Sequence, residues 1–421
     1  MYSLIKVFEN RRIAALLLLG FASGLPYYLT NKTLQAWMTQ ENVKLTAIGL
    51  FSLVGLPYSL KFIWSPFMDR FVPHFLGRRR GWLIITQVLL VVAIAAMSLQ
   101  QPKQALFFVA INALFIAFLS ASQDIVADAY RTDVLKPQEM GAGAAIFTLG
   151  YRVGLLLTGS LALILADRMS WNLVYLCLAL IMLLCIGFTL FAPEPQEDNK
   201  APQSLKDAVI LPFQEFFQRY ELIYAISILL FINLYRLGDS FLGNMSTPFL
   251  LKTGFTQTDI GAIQGGMGLF ATIIGTLIGG SIMSKIGINR ALWIFGGIQA
   301  LSNVVYLILA QIGQNYPFMV LAINVENFCG GLGTAAFTAF LMSLCNHQFS
   351  ATQYALLSSL YAFGRDILVA PAGGIVENIG WSWFFLFTLI EAIPGLLLLP
   401  WIAPWNPQPV SIPRPGLEDD A

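Results

Sequence analysis

Ala192-Pro193-Glu194-Pro195-Gln196-Glu197-Asp198-Asn199-Lys200, continuing to Arg219, is the only long polar connection in an otherwise apolar chain. Its prolines oppose helix and its charges favour water, so 192–219 reads as a linker outside any core. Apolar stretches flank it on both sides. A helix crossing a bilayer covers about 30 Å and needs roughly 20 such residues. Twelve stretches qualify, near 13–38, 46–68, 81–99, 104–130, 139–166, 171–191, 221–250, 257–284, 290–311, 316–345, 350–378 and 380–402. The linker divides them six and six. The expected organisation is an N-terminal six-helix bundle over 1–191, the linker, a C-terminal six-helix bundle over 220–404, and a disordered tail over 405–421 rich in proline and acid.

Composition agrees with burial in lipid. Of 421 residues, 57% are hydrophobic and 11% charged, against about 25% charged in a soluble domain. The 35 glycines suit helices packed closely in a membrane. The net charge of +1 says nothing about nucleic acid, but no basic stripe with interleaved aromatics is seen, so no nucleic-acid partner is expected. Cys177, Cys185, Cys329 and Cys345 lie in apolar stretches without metal-like spacing and read as small packing residues. With only His74 and His347 and no HExxH or CxxC, neither a metal site nor a cofactor is expected. Lys6, Arg11 and Arg12 before an apolar run imitate a signal peptide, yet no small-residue cleavage site follows.

The loop charges orient the chain. One side would hold Lys6, Arg11, Arg12, Arg70, Arg78, Arg79, Arg80, Arg131, Lys136, Lys200, Lys206, Arg219, Lys285, Arg290 and Arg414, the other Lys44, Lys103, Arg168 and Lys252. The positive-inside rule places both termini and the linker in the cytoplasm.

The halves repeat weakly. Thr46-Ala47-Ile48-Gly49 opens span two and Thr258-Asp259-Ile260-Gly261 opens span eight. Tyr151, Asp167 and Trp171 recur at the spacing of Tyr361, Glu377 and Trp381. Two six-span halves joined by a cytoplasmic linker point to an all-α membrane protein with the major facilitator fold, whose halves rock about a midplane site.

Span four ends in Ser120-Ala121-Ser122-Gln123-Asp124-Ile125-Val126-Ala127-Asp128-Ala129-Tyr130-Arg131. Asp124 and Asp128, four residues apart, share a helix face, with Gln123 and Arg131 beside them. Charges at such depth are costly and mark candidate sites; a plain Asp128–Arg131 pair is the competing reading. The two aspartates are the candidate proton-coupling pair. The remaining intramembrane set is Tyr27, Tyr28, Lys32 and Gln35 in span one, Arg152 in span five, Asn233, Arg236 and Asp239 in span seven, Glu326 and Asn327 in span ten, Arg365 and Asp366 in span eleven, and Glu391 in span twelve. Arg236 and Asp239 are spaced to neutralise each other, whereas Arg365 and Asp366, being adjacent, are expected to pair poorly. Gly24-Leu25-Pro26-Tyr27 and its echo Gly55-Leu56-Pro57-Tyr58 mark helix bends that free carbonyls, or plain packing sites. Asp69-Arg70 and Gly77-Arg78-Arg79-Arg80-Gly81, with Arg131, suit a cytoplasmic gate, or simple topological anchoring.

These blocks resemble AmpG-type muropeptide permeases of the major facilitator superfamily. The likeness rests on Phe21-Ala22-Ser23-Gly24-Leu25-Pro26-Tyr27, Thr33-Leu34-Gln35-Ala36-Trp37, Val54-Gly55-Leu56-Pro57-Tyr58, Gly77-Arg78-Arg79-Arg80-Gly81-Trp82 and above all the acidic turn, and it thins in the second half. Some members of the family are longer, with extra spans not found here. The resemblance implies proton-coupled import of anhydro-muropeptides from periplasm to cytoplasm, in cell-wall recycling that also feeds β-lactamase induction. It places Gln123, Asp124 and Asp128 at the transport path. Such a cargo carries sugars, amides and carboxylates: Tyr27, Tyr28 and Trp37 could stack on sugars, while Lys32, Arg236 and Arg365 could meet carboxylates. Gln35, Asn233, Asp239 and Glu326 complete the expected binding set. A monomer without enzymatic activity is expected. Other readings are a facilitator for acetyl-CoA, peptides or drugs, a membrane enzyme, for which no nucleophile–base or metal constellation is seen, and a non-transporting receptor.

Overall fold

The computed structural model describes residues 11–71, 73, 77–135, 140–194, 214–345 and 350–406. Among these residues all regular structure is helical. In the first half, α1 runs over Arg11–Leu29 and resumes as Lys32–Gln40, α2 is Leu45–Ile63, α3 Arg78–Ser98 and α4 Leu106–Val134. α5 is Met140–Leu156, carried on by a π turn at Leu157–Leu161 and the helix Ala162–Ala166, and α6 is Trp171–Phe191. In the second half, α7 is Leu222–Leu234 and, after a break, Leu237–Thr253. There follow α8 (Gln257–Ile286), α9 (Ile288–Ile312), α10 (Tyr316–Ser343), α11 (Ser350–Leu368) and α12 (Ala372–Ile402). Glycine is required at Gly380, where φ is +78° and α12 folds back on itself. The segment before Gly380 extends α11 past Pro371 to the end of the bundle.

Ten of these helices are long and apolar enough to cross a membrane. The other two expected spans are α1 and α11. α1 is interrupted at Thr30 and Asn31, and α11 carries Gln353, Ser358, Ser359, Arg365 and Asp366, which lower its hydropathy. Large apolar side chains face outward along the bundle, with Phe107 and Leu397 both 71% exposed. An apolar exterior around polar interior residues is the pattern that lipid stabilises and water does not.

Small residues bring the helices together. A methyl group added at Gly150 of α5 would collide with the Leu17 carbonyl of α1, and one at Gly275 of α8 with the Phe328 carbonyl of α10. Close backbone approach of this kind is how membrane helices gain dispersion contacts.

The basic loop caps helix ends. The Glu194 carboxylate accepts the backbone N–H groups of Arg79 (2.9 Å) and Arg80 (3.1 Å) at the start of α3, where the helix dipole favours an anion. Arg80 donates to the Ala192 carbonyl at the end of α6 (3.1 Å), and Arg79 pairs with Asp133 (2.7 Å). Asp69 and Arg70 belong to a short helix, Ser65–Arg70. Most of the linker, including Lys200, and the tail beyond residue 406 lie outside the described residues. The linker's last turn is helical: Phe216 is buried, and Glu215 accepts from Arg219 (2.9 Å) and from Gln353 of α11 (2.5 Å).

The halves meet at the end of the bundle away from that turn. Gln40 accepts from Gln257 (2.6 Å), Asn42 from Lys252 (3.0 Å), and Asp167 from the Thr258 backbone N–H (2.6 Å). Thr46 donates to Glu377 through both its backbone and its hydroxyl, and Gly373 lies against the Leu45 carbonyl.

Candidate functional site

Between the halves lies a cavity of about 490 Å³, adjoined by a second of about 270 Å³. They share Tyr27, Asn31, Arg365 and Asp366 as a common wall. Irregular backbone surrounds them. Pro26 removes one helical bond, and α1 breaks a turn later, where Asn31 N–H reaches only to Tyr28 O (3.1 Å). Pro57 likewise leaves Phe51–Gly55 wound as a 3₁₀ helix, which brings Ser52 to the cavity. The π turn of α5 faces another in α8, Gly261–Met267, and Ser160 donates to the Gly261 carbonyl across the halves. Such distortions are tolerated in a membrane where the backbone lines a cavity or is buried in protein.

The lining is strongly polar. It holds four cations, Lys32, Arg152, Arg236 and Arg365, and three carboxylates, Asp239, Glu326 and Asp366. Lys32 crosses from α1 to α7, donating to the Gly243 carbonyl and to Ser246 Oγ (3.0 Å). Arg236 pairs with Asp239 (3.7 Å) and donates to Thr334 (3.1 Å). Glu326 accepts from Asn327 (2.9 Å). Arg365 and Asp366 do pair, at 2.8 Å, contrary to the expectation from adjacent helix positions. The long arginine side chain folds back over the angle between neighbouring residues, a reach that Cβ directions alone do not convey.

Of the expected binding residues, Tyr27, Tyr28, Lys32, Arg236, Asp239, Glu326 and Arg365 share the lining. Gln35, Gln123 and Asn233 are outside it. Gln35 is 2% exposed, Gln123 is fully buried with both amide atoms unpartnered, and Asn233 donates to Leu229 O (2.8 Å). Trp37 stacks on Trp171 at 6.0 Å in the core of the first half rather than at the cavity.

The acidic turn stands beside the cavities, not in them. Asp128 is half exposed and bridged to Lys61 (3.7 Å) and Arg131 (3.2 Å). Asp124, one turn away, has a buried Oδ1 without a hydrogen-bond partner. It adjoins Ser23 and Tyr58, and Tyr58 lines the second cavity. Among the described residues no group of His, Cys, Asp and Glu could hold a metal.

Sequence reading named Arg236 and Asp239 on α7 but missed Ser240, Gly243 and Thr247. Arg236, Ser240, Gly243 and Thr247 recur at helical spacing and line the cavity. That periodicity was the available signal.

The chain matches the Major Facilitator Superfamily over residues 16–368. It is 51% identical over 397 residues to the anhydromuropeptide permease of Escherichia coli (strain K12), covering 94% of this chain and 80% of that protein. It is 34% identical over 404 residues to the putative transporter AmpG 4 of Rickettsia felis, covering 94% and 97% respectively. Among solved structures it is similar to a bacterial homolog of the human lysosomal transporter Spinster in an inward-facing, unoccupied conformation, with a TM-score of 0.73 and 14% identity over 94% of this chain and 98% of that one. A POT family transporter in complex with 5-aminolevulinic acid gives a TM-score of 0.71 at 16% identity, covering 93% and 96%. At such identities the structures speak for the fold alone.

Proposed function

We propose, from the premise that this chain belongs to the major facilitator superfamily, that it is a secondary transporter carrying anhydro-muropeptides across the membrane. The single observation behind the cargo is 51% identity to a permease of that name, sustained along 94% of the chain. The cavity is chemically suited to it. Its volume of about 490 Å³ lies within the roughly 300–1,000 Å³ of small-molecule sites. Tyr27 and Tyr28 offer ring faces to sugars, amide and hydroxyl groups such as Asn244 and Ser240 offer partners to peptide bonds, and arginines offer forks to carboxylates.

Transport follows from the two halves rocking about this site. With the basic loops in the cytoplasm, the end closed by Gln40, Gln257, Asp167 and Thr258 faces the periplasm. On this reading, entry of cargo from the periplasm requires those contacts to part. Import is driven by protons taken up at Asp124, in a monomer of the inner membrane. Counterflow into proteoliposomes tests the cargo. Labelled anhydro-muropeptide should accumulate transiently against trapped unlabelled muropeptide and not against trapped acetyl-CoA or free peptide. Equal counterflow with acetyl-CoA inside would replace this cargo.

A further inference from the structure

We propose that Arg152 is the anchor for a carboxylate of the cargo, a subsite formed by the one lining cation whose charge the protein leaves unmatched among the described residues; this rests on the muropeptide reading above. Arg152 begins a stripe of α5, with Leu155, Leu156, Gly159 and Leu163, that lines the main cavity at helical spacing. It lies beside Tyr28, and its side chain is exposed to the cavity.

The other cations are engaged. Arg365 has Asp366 at 2.8 Å, and Arg236 has Asp239 at 3.7 Å and the Thr334 hydroxyl at 3.1 Å. Lys32 is held by Ser246 Oγ at 3.0 Å and the Gly243 carbonyl. Arg152 makes no hydrogen bond or ion pair among the described residues. Charges within membrane spans generally pair with one another, with backbone carbonyls or with water in a cavity. The carboxylates of the lining are already matched, Asp239 and Asp366 by their arginines and Glu326 by Asn327 and the nearby Lys32. The counter-ion for Arg152 therefore arrives with the cargo. A guanidinium presents two parallel N–H donors to a carboxylate, and the adjacent Tyr28 ring can bear on the sugar to which that acid is joined.

The test is exchange by purified protein in proteoliposomes, using an anhydro-muropeptide and the same compound with its carboxyl groups converted to amides. Wild type should prefer the acid, and Arg152→Gln should shrink that preference by about tenfold to a hundredfold, the range of a charge-assisted bond. Arg152→Lys should keep part of it. Thermal unfolding in detergent gives the second readout. Arg152→Gln should unfold at the wild-type temperature, whereas Arg236→Gln, which strands Asp239, should unfold lower. An unchanged acid-to-amide ratio in Arg152→Gln, or no preference in wild type, overturns the assignment and leaves the cargo standing. Failure of wild type to exchange either compound overturns the cargo reading, and this subsite with it. A fall in unfolding temperature matching that of Arg236→Gln would instead make Arg152 part of the scaffold.

Discussion

Asp124→Asn is expected to abolish uphill accumulation of cargo while leaving exchange at equal concentrations partly intact. The acidic turn holds two carboxylates in different surroundings. Asp128 is half exposed and bridged to Lys61 and Arg131, so protonating it would break two ion pairs. Asp124 makes no ion pair, and its buried Oδ1 has no donor among the described residues. It adjoins Tyr58, which lines the second cavity. Asp124 feels the charge of Lys61 without pairing closely with it, so it loses less on protonation than Asp128 does, and rocking of the halves can change the side from which it is reached. Asparagine imitates the protonated carboxyl in shape but releases nothing. Each pH unit across the membrane supplies about 1.4 kcal/mol per proton, roughly a tenfold accumulation for one proton per cargo. Uptake into proteoliposomes with and without an imposed gradient reads this directly. Gradient-driven accumulation by folded Asp124→Asn protein would place coupling elsewhere.

Asp366→Asn should be among the most destabilising single changes at the site. Asp366 is 5% exposed, pairs with Arg365 at 2.8 Å, and lies against Gly55, while Ser52 donates to its backbone carbonyl at 2.7 Å. Removing one partner of a buried pair costs about 3–5 kcal/mol, mostly by stranding the other charge. Arg365 is a third exposed and can partly rehydrate, which places the loss near the lower end of that range. Thermal unfolding in detergent should show the drop, and the double change Arg365→Gln with Asp366→Asn should recover more than additivity allows. An Asp366→Asn protein as stable as wild type would mean that Arg365 has another partner.

The architecture was legible because membrane insertion imposes simple periodicities. The twelve apolar stretches and the bends at Pro26 and Pro57 each follow from one local rule, whereas most of the polar linker lies outside the described residues. The site was legible in part. Depth alone singled out Lys32, Arg236, Asp239, Glu326 and Arg365, and all five line the cavity. Helical spacing says which residues share a face, not which helix they meet. Gln35, Gln123 and Asn233 therefore seemed equivalent to them yet face protein, and Trp37 belongs to an aromatic cluster with Trp171 and Tyr175. That Arg152 makes no hydrogen bond or ion pair among the described residues could not be told from its sequence, since pairing depends on neighbours from other helices. The distortion at Leu157–Leu161 also re-aims the residues after it, a change that no composition records.

The central claim is that an anhydro-muropeptide occupies the cavity between the halves. Ser240 lines that cavity from α7. A cysteine placed there, with Cys177, Cys185, Cys329 and Cys345 replaced, can be alkylated by a small soluble thiol reagent in purified protein. Saturating anhydro-muropeptide should slow that alkylation by about tenfold or more, the shielding expected when a site buries 70–90% of its ligand, while acetyl-CoA at the same concentration should not. An alkylation rate unchanged by muropeptide, at concentrations that saturate exchange, would contradict the claim.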